Sequence, residues 1–126
     1  MPAYALLAAA SVASLNLCTD EYLLLLARPQ EIASVSFLSQ DRQESPLWKL
    51  ARRHHANRGS LEQALAQRPD GVLTMGGGGR ATSLIAPKLG IAAVDLRPAS
   101  TIEDVAHNLR SVAVALGDSG RAQSWL

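Results

Sequence analysis

Residues 59–75, GSLEQALAQRPDGVLTM, place a helix start, a helix stop and a buried strand in immediate succession. Ser60 and Gln63 stand at capping-box spacing, so a helix opens after Gly59 and runs to about Gln67. Arg68-Pro69-Asp70 cannot continue it, because proline removes a backbone donor and disfavours helical geometry in the residue before it. The apolar run GVLTM then reads as a strand enclosed on both faces, and it breaks into four glycines, Gly76 to Gly79.

The same alternation extends outward in both directions. Downstream, residues 80–89 predict a helix ended by Pro87 and closed by Gly90, and residues 91–96 (IAAVDL) predict a strand. Ser100 or Thr101 caps the following helix, with Glu103 completing a box with Ser100, and that helix reaches Leu116-Gly117. Upstream, residues 11–17 (SVASLNL) predict a strand and Thr19 or Asp20 a helix cap. Pro29 ends that helix, residues 32–37 (IASVSF) form another strand, and residues 46–54 a short helix after an irregular stretch. Strands alternating with helices at this spacing predict an α/β fold, with a parallel four-stranded sheet and helices on both faces, over residues 11–117. In such sheets ligands sit outside the carboxyl ends of the strands. That selects the loops 16–19, 37–43, 76–80 and 97–100.

At 126 residues, 48% of them hydrophobic, the chain suits one domain with a core of its own. Aromatics make up only 4%, so Leu, Val, Ile and Ala must build that core. A net charge of +1 leaves no basic footprint for nucleic acid. Cys18 is the single cysteine, which excludes an internal disulfide framework. No apolar run approaches the ~20 residues that cross a bilayer. Residues 1–10 (MPAYALLAAA) read as the remnant of a signal peptide: apolar and ending in small residues, but without a basic leader segment. Leu17 stands before Cys18 where a lipid-anchored cysteine wants a small residue.

Chemistry finds few footholds. Gly76 to Ala81 fits G-x-G-x-x-A between a strand and a helix, and Asp95 ends the next strand. Together they suggest a nucleotide-binding enzyme domain of Rossmann type, with pyrophosphate at a helix N-terminus and Asp95 on a ribose. That fingerprint normally opens the first strand–helix–strand unit, whereas here two strands precede it. Lys49, Arg52, Arg53, His54, His55 and Arg58 form a basic cluster read as a solvated face. Adjacent histidines on a helix point about 100° apart, and His107 lies on another helix, so no metal site is expected. Cys18 has no base patterned beside it. Asp20-Glu21 and Glu103-Asp104 suit the N-terminal ends of helices rather than acid–base work. Neither catalytic residues nor a resident cofactor are expected.

Four segments carry a resemblance: VASLNLCTDEYLLLLA, IASVSFLSQD, GSLEQALAQRPDGVLTM and LGIAAVDLRPASTIEDVAHNLRSVAVALGD. In order and spacing they resemble the N-terminal lobe of ABC-importer periplasmic binding proteins of the cobalamin and ferric-siderophore type. The third segment is similar to that family's NLE…KPDLV pattern. The resemblance implies two α/β lobes joined by a long helix, with ligand held between them and delivered to a membrane permease. Residues 118–126 would then begin the inter-lobe helix, the chain being one lobe. It also implies a periplasmic location and a monomer at full length.

Carried over position by position, the resemblance places Asn16, Cys18 and Thr19, then Ser39, Gln40 and Asp41, then Asn57 and Arg58, then Gly76, Gly77 and Arg80 on the ligand cleft. Glu62 matches the glutamate that docks on permease arginines. Cobalamin-binding relatives place an aromatic in the loop after the second strand, and this loop is expected to have none. Arg58 and Arg80 instead suit carboxylate or catecholate oxygens. The expected ligand is an anionic iron chelate such as an iron-siderophore, with a corrinoid next. The readings from other classes are the nucleotide-binding enzyme and an interaction module without a small ligand.

Overall fold

The computed structural model describes residues 11–76 and 80–126. β4 (Gly71–Met75) occupies the residues its apolar run predicts and lies inside the sheet, between β1 (Val12–Ser14) and β5 (Ala92–Leu96). On the other side of β1 follow β2 (Ile32–Ser36) and β3 (Ala56–Asn57), giving the order β3-β2-β1-β4-β5 with every pairing parallel. The sheet therefore has five strands, not four. The extra strand is two residues long and follows a run of Arg and His, so it offers no apolar periodicity to read.

Buried-strand alternation sends successive side chains to opposite faces. On one face Val12, Ile32, Leu73 and Ala92 pack with Tyr22, Leu23 and Leu26 of α1 (Leu17–Leu26). Leu109, Val112 and Ala113 of α5 (Ile102–Ala115) complete that layer. On the other face Ala13, Leu15, Ala33 and Val72 meet Leu61 and Ala64 of α3 (Leu61–Ala64), together with Ala86 and Ile91. Helices thus cover both faces. α2 (Trp48–Ala51) packs on the 3-10 turn Phe37–Gln40 at the β2 end of the sheet.

Local caps differ from expectation in two places. Asn16, not Thr19 or Asp20, caps α1: its Oδ1 accepts from the Cys18 N–H at 2.7 Å. Asp20, one turn inside, is fully buried and bonds across to β2 instead. α5 opens on Thr101, one of the two expected caps, but its box partner is Asp104 rather than Glu103, and both the Ser100 and Thr101 N–H groups reach the Asp104 carboxylate. Ser60 does cap α3 through the Gln63 N–H. α4 (Arg80–Ile85) stops short of Pro87, and Ala86–Leu89 continues as a 3-10 turn closed by Gly90 at φ +77°.

Residues Ser119–Trp125 wind as 3-10 turns against α5. Arg121 fastens them: its guanidinium donates to Glu31 at 2.6 Å and to the Leu26 carbonyl at 3.2 Å, while Ala122 is fully buried. Glu31 is drawn up by burial and down more strongly by Arg121 and the Arg28 N–H, and its pKa ends below the usual carboxylate range. No helix among the described residues is long and apolar enough to cross a membrane.

Candidate functional site

Chain order reverses direction between β1 and β4, because β2 and β3 lie to one side of β1 and β4 and β5 to the other. In an open parallel sheet the crevice above such a reversal, at the carboxyl ends of the strands, is where ligands settle. Among the described residues, Asn16 after β1 and Gly76 after β4 stand at this reversal. Gly59 closes up to the turn after β1: at φ +87°, an added Cβ would stand 3.1 Å from the Leu15 carbonyl. Gly76, at φ +69°, turns the chain beside Pro98, and its N–H donates to the Leu96 carbonyl at 2.8 Å.

The carryover residues divide into those that face the rim and those that build it. Cys18, Asp41, Arg58, Gly76 and Arg80 are exposed, and Asn16 and Gln40 half-buried. Thr19, Ser39 and Asn57 are buried and committed within the fold. Thr19 bonds Ser14 and the Asn16 carbonyl. Ser39 donates to the Ser36 carbonyl at 2.9 Å. Asn57 donates to the Ser14 carbonyl at 2.9 Å and the Ser34 hydroxyl at 2.8 Å, and accepts from the Gly59 N–H, so it laces three strands together. Gly77 lies outside the described residues, as do Gly78 and Gly79 of the proposed nucleotide loop. Asp95, the acid paired with that loop, accepts from the Thr74 hydroxyl at 2.6 Å. Glu62 is exposed in the first turn of α3.

A hollow of about 700 Å³ opens at the end of β2, lined by Phe37, Gln40, Asp41, Arg42, Gln43 and Arg52. Of these, the carryover named only Gln40 and Asp41. β2 ends at Ser36, one residue earlier than expected, so Phe37 leaves the strand and the residue stands 52% exposed. The loop after the second strand therefore does carry an aromatic, contrary to expectation. Arg52 was hidden inside the basic cluster. It donates to the Gln40 carbonyl at 2.9 Å and lies over the Trp48 ring at 4.6 Å, while Gln40 itself bonds the carbonyls of Ala51 and His54. These bonds hold Arg52 beside the loop, a long-range relation that local spacing does not encode.

Electrostatics under the rim centre on Asp20. Burial pushes its pKa up to about 6, even though hydrogen bonds from Ser36, Ser14 and Ser39 pull it down. Cys18, two residues earlier in α1, is pushed up by partial burial and by Glu21 and Asp20, which disfavours the thiolate. His54 is pushed down by burial and by its neighbours Arg53 and His55. No group of three or more His, Cys, Asp or Glu among the described residues is arranged to hold a metal ion.

No family model matches the chain, and no curated protein matches it in sequence. Solved structures do. The periplasmic heme-binding protein BhuT, in complex with two hemes, superposes with a TM-score of 0.71 at 18% identity over 91% of this chain. A periplasmic heme-binding protein from Pseudomonas aeruginosa superposes with a TM-score of 0.61 at 22% identity over 90%. The chain spans 44% and 40% of the length of these proteins. The likeness establishes the fold: a five-stranded parallel α/β lobe of the kind found in periplasmic heme-binding proteins.

Proposed function

We propose that this chain is the N-terminal lobe of the extracytoplasmic substrate-binding component of an ABC importer, and that it binds rather than catalyses. The observation that carries the reading is the superposition of nine-tenths of the chain on less than half of two ligand-binding proteins. Its counterpart in the fold is the rim, where Cys18, Phe37, Arg42, Arg52, Arg58 and Arg80 stand exposed at or beside one end of the sheet. Ligand lies between this rim and a second lobe reached through the segment after α5, and Glu62 meets arginines of the permease.

The ligand is an anionic iron chelate. Heme, which the two neighbours bind, and ferric siderophores both belong to that class; a corrinoid comes next. Phe37 offers an apolar face to a flat macrocycle. Arg42 and Arg52 offer forked donors to carboxylates at its edge. One lobe supplies one wall of the cleft, so the isolated chain binds more weakly than a closed two-lobed protein would.

Hemin, a ferric catecholate, cobalamin and NAD, each titrated while ligand absorbance and Tm are followed, test the reading. A ligand that binds the native state raises Tm. A response to hemin or the ferric catecholate that is lost in Arg42→Ala/Arg52→Ala supports it. A response to NAD alone supports the nucleotide-binding enzyme, and no response to any of the four supports the interaction module.

A further inference from the structure

We infer that the α2–β3 edge of the lobe is a docking surface for an anionic lipid bilayer. Five of the twelve Lys and Arg residues fall between positions 42 and 58, namely Arg42, Lys49, Arg52, Arg53 and Arg58, against Glu44 as the one acid in that span. All five are exposed. The ion pairs among the described residues involve Arg97 and Arg121 and none of these five. With Glu44 and the adjoining Asp41 counted against them, these five still leave a local excess of three positive charges, while the whole chain carries only +1.

Apolar groups are interleaved with these cations. Leu50 and Leu38 are each 37% exposed on α2 and on the 3-10 turn packed against it. Trp48 lies under two cations, with the Lys49 ammonium 5.4 Å and the Arg52 guanidinium 4.6 Å from its ring centre. Along α2 and the turn that extends it, Trp48 and Arg52 share one side, and Lys49 and Arg53 the adjoining one, at four-residue spacing. A partner recognised by charge alone has no use for exposed leucines and an indole. An anionic bilayer uses all three: basic groups meet lipid phosphates, tryptophan settles at headgroup depth, and leucines reach below.

Placement agrees with this. β3 pairs with Val35 and Ser36, the last two residues of β2, so the basic edge stands at the carboxyl end of the sheet. In a lobe that meets a membrane permease through Glu62, four residues after Arg58, this outer edge lies beside the permease contact, and Lys49 and Arg53 stand outside the proposed ligand rim. The lipid contact does not need the transport reading, and the experiment separates the two.

The chain is sedimented with vesicles of phosphatidylcholine alone, or of phosphatidylcholine and phosphatidylglycerol in equal parts, at ~0.05 M and ~0.5 M salt. Binding is expected to the phosphatidylglycerol vesicles only, to fall at least tenfold at the higher salt, and to fall at least tenfold in Lys49→Glu/Arg53→Glu. Lys88→Glu/Arg110→Glu, which reverses the same number of exposed charges elsewhere, should bind as the unaltered chain does. In a Trp125→Phe background, Trp48 emission should shift to the blue on binding. No sedimentation with phosphatidylglycerol vesicles overturns the inference, as does equal binding to both vesicle types or binding indifferent to Lys49→Glu/Arg53→Glu. Retention on an immobilised anionic polymer without vesicle binding overturns it in favour of a different polyanion. Hemin binding unchanged in Lys49→Glu/Arg53→Glu, with vesicle binding lost, would show the two sites to be separate.

Discussion

Asp20, in the first turn of α1, and Ser36, at the end of β2, are joined twice. The Ser36 N–H donates to Oδ1 at 3.0 Å, and the Ser36 hydroxyl donates to Oδ2. One buried carboxylate thus fixes the corner from which Phe37, Gln40 and Asp41 depart.

This carboxylate makes stability depend on pH. Its folded pKa, about 6, lies above its ordinary value of 3.8, so between those values the folded state holds a proton that the unfolded chain has released. The stabilisation is fully present below pH 3.8 and is lost as pH rises through 6. Asp20→Asn cannot titrate, but can still accept from the Ser36 N–H and donate to its hydroxyl. Urea unfolding from pH 4 to 7 should show the unaltered chain losing about 2–3 kcal/mol relative to Asp20→Asn. Parallel pH profiles for the two proteins would disprove this.

Glu31 and Arg121 are paired at 2.6 Å with side chains only 7% and 14% exposed. Removing one member leaves the other charge buried alone, which costs about 3–5 kcal/mol. Arg121→Ala should therefore unfold at much lower urea, by roughly 3 kcal/mol, and Glu31→Gln/Arg121→Met should recover a good part of the loss. Additive losses from the two sites would mean that the pair is not coupled.

Asn57 supports three strands with one amide. Asn57→Ala leaves the Ser14 carbonyl without its side-chain donor and frees the turn at Gly59. A loss of about 2–3 kcal/mol in urea unfolding follows. A change within experimental error would show that the strands need no such tie.

Much of this architecture is legible in the sequence. β4 is visible because a strand buried on both faces is a continuous apolar run with Pro69 before it and Gly76 after it. β3 is not, because what makes Ala56 and Asn57 a strand is pairing with Val35 and Ser36, contacts remote in sequence. Asn16 and Asp104 show the limit of local cap rules: residues within a turn, Thr19 or Asp20 in one case and Glu103 in the other, satisfy the same pattern, and tertiary context selects between them. Asp20 reads as an acid suited to a helix start, yet in the folded chain it is fully buried against the end of β2. Loop position alone places Cys18, Gln40 and Asp41 near the carboxyl ends of the strands. Arg52 and Phe37 needed the folded chain, since one arrives from α2 and the other depends on where β2 stops.

Phe37→Ala tests the proposed ligand surface apart from folding. Phe37 is 52% exposed, so the substitution should change stability by no more than ~0.5 kcal/mol. The lost stacking should weaken hemin about 5–10-fold, in line with ~1 kcal/mol for an aromatic contact. A titration showing unaltered hemin affinity would remove Phe37 from the ligand surface.

The central claim is that ligand meets the carboxyl rim of this sheet, and amide chemical-shift mapping with gallium protoporphyrin, a diamagnetic stand-in for heme, tests it most directly. The account predicts perturbed amides at Cys18, along Phe37 to Gln43, and at Arg58, Gly76 and Arg80. Shifts gathered instead along the groove of about 450 Å³ between β5 and α5, around Val94, His107 and Ser111, or no shifts at all at millimolar ligand, would contradict it.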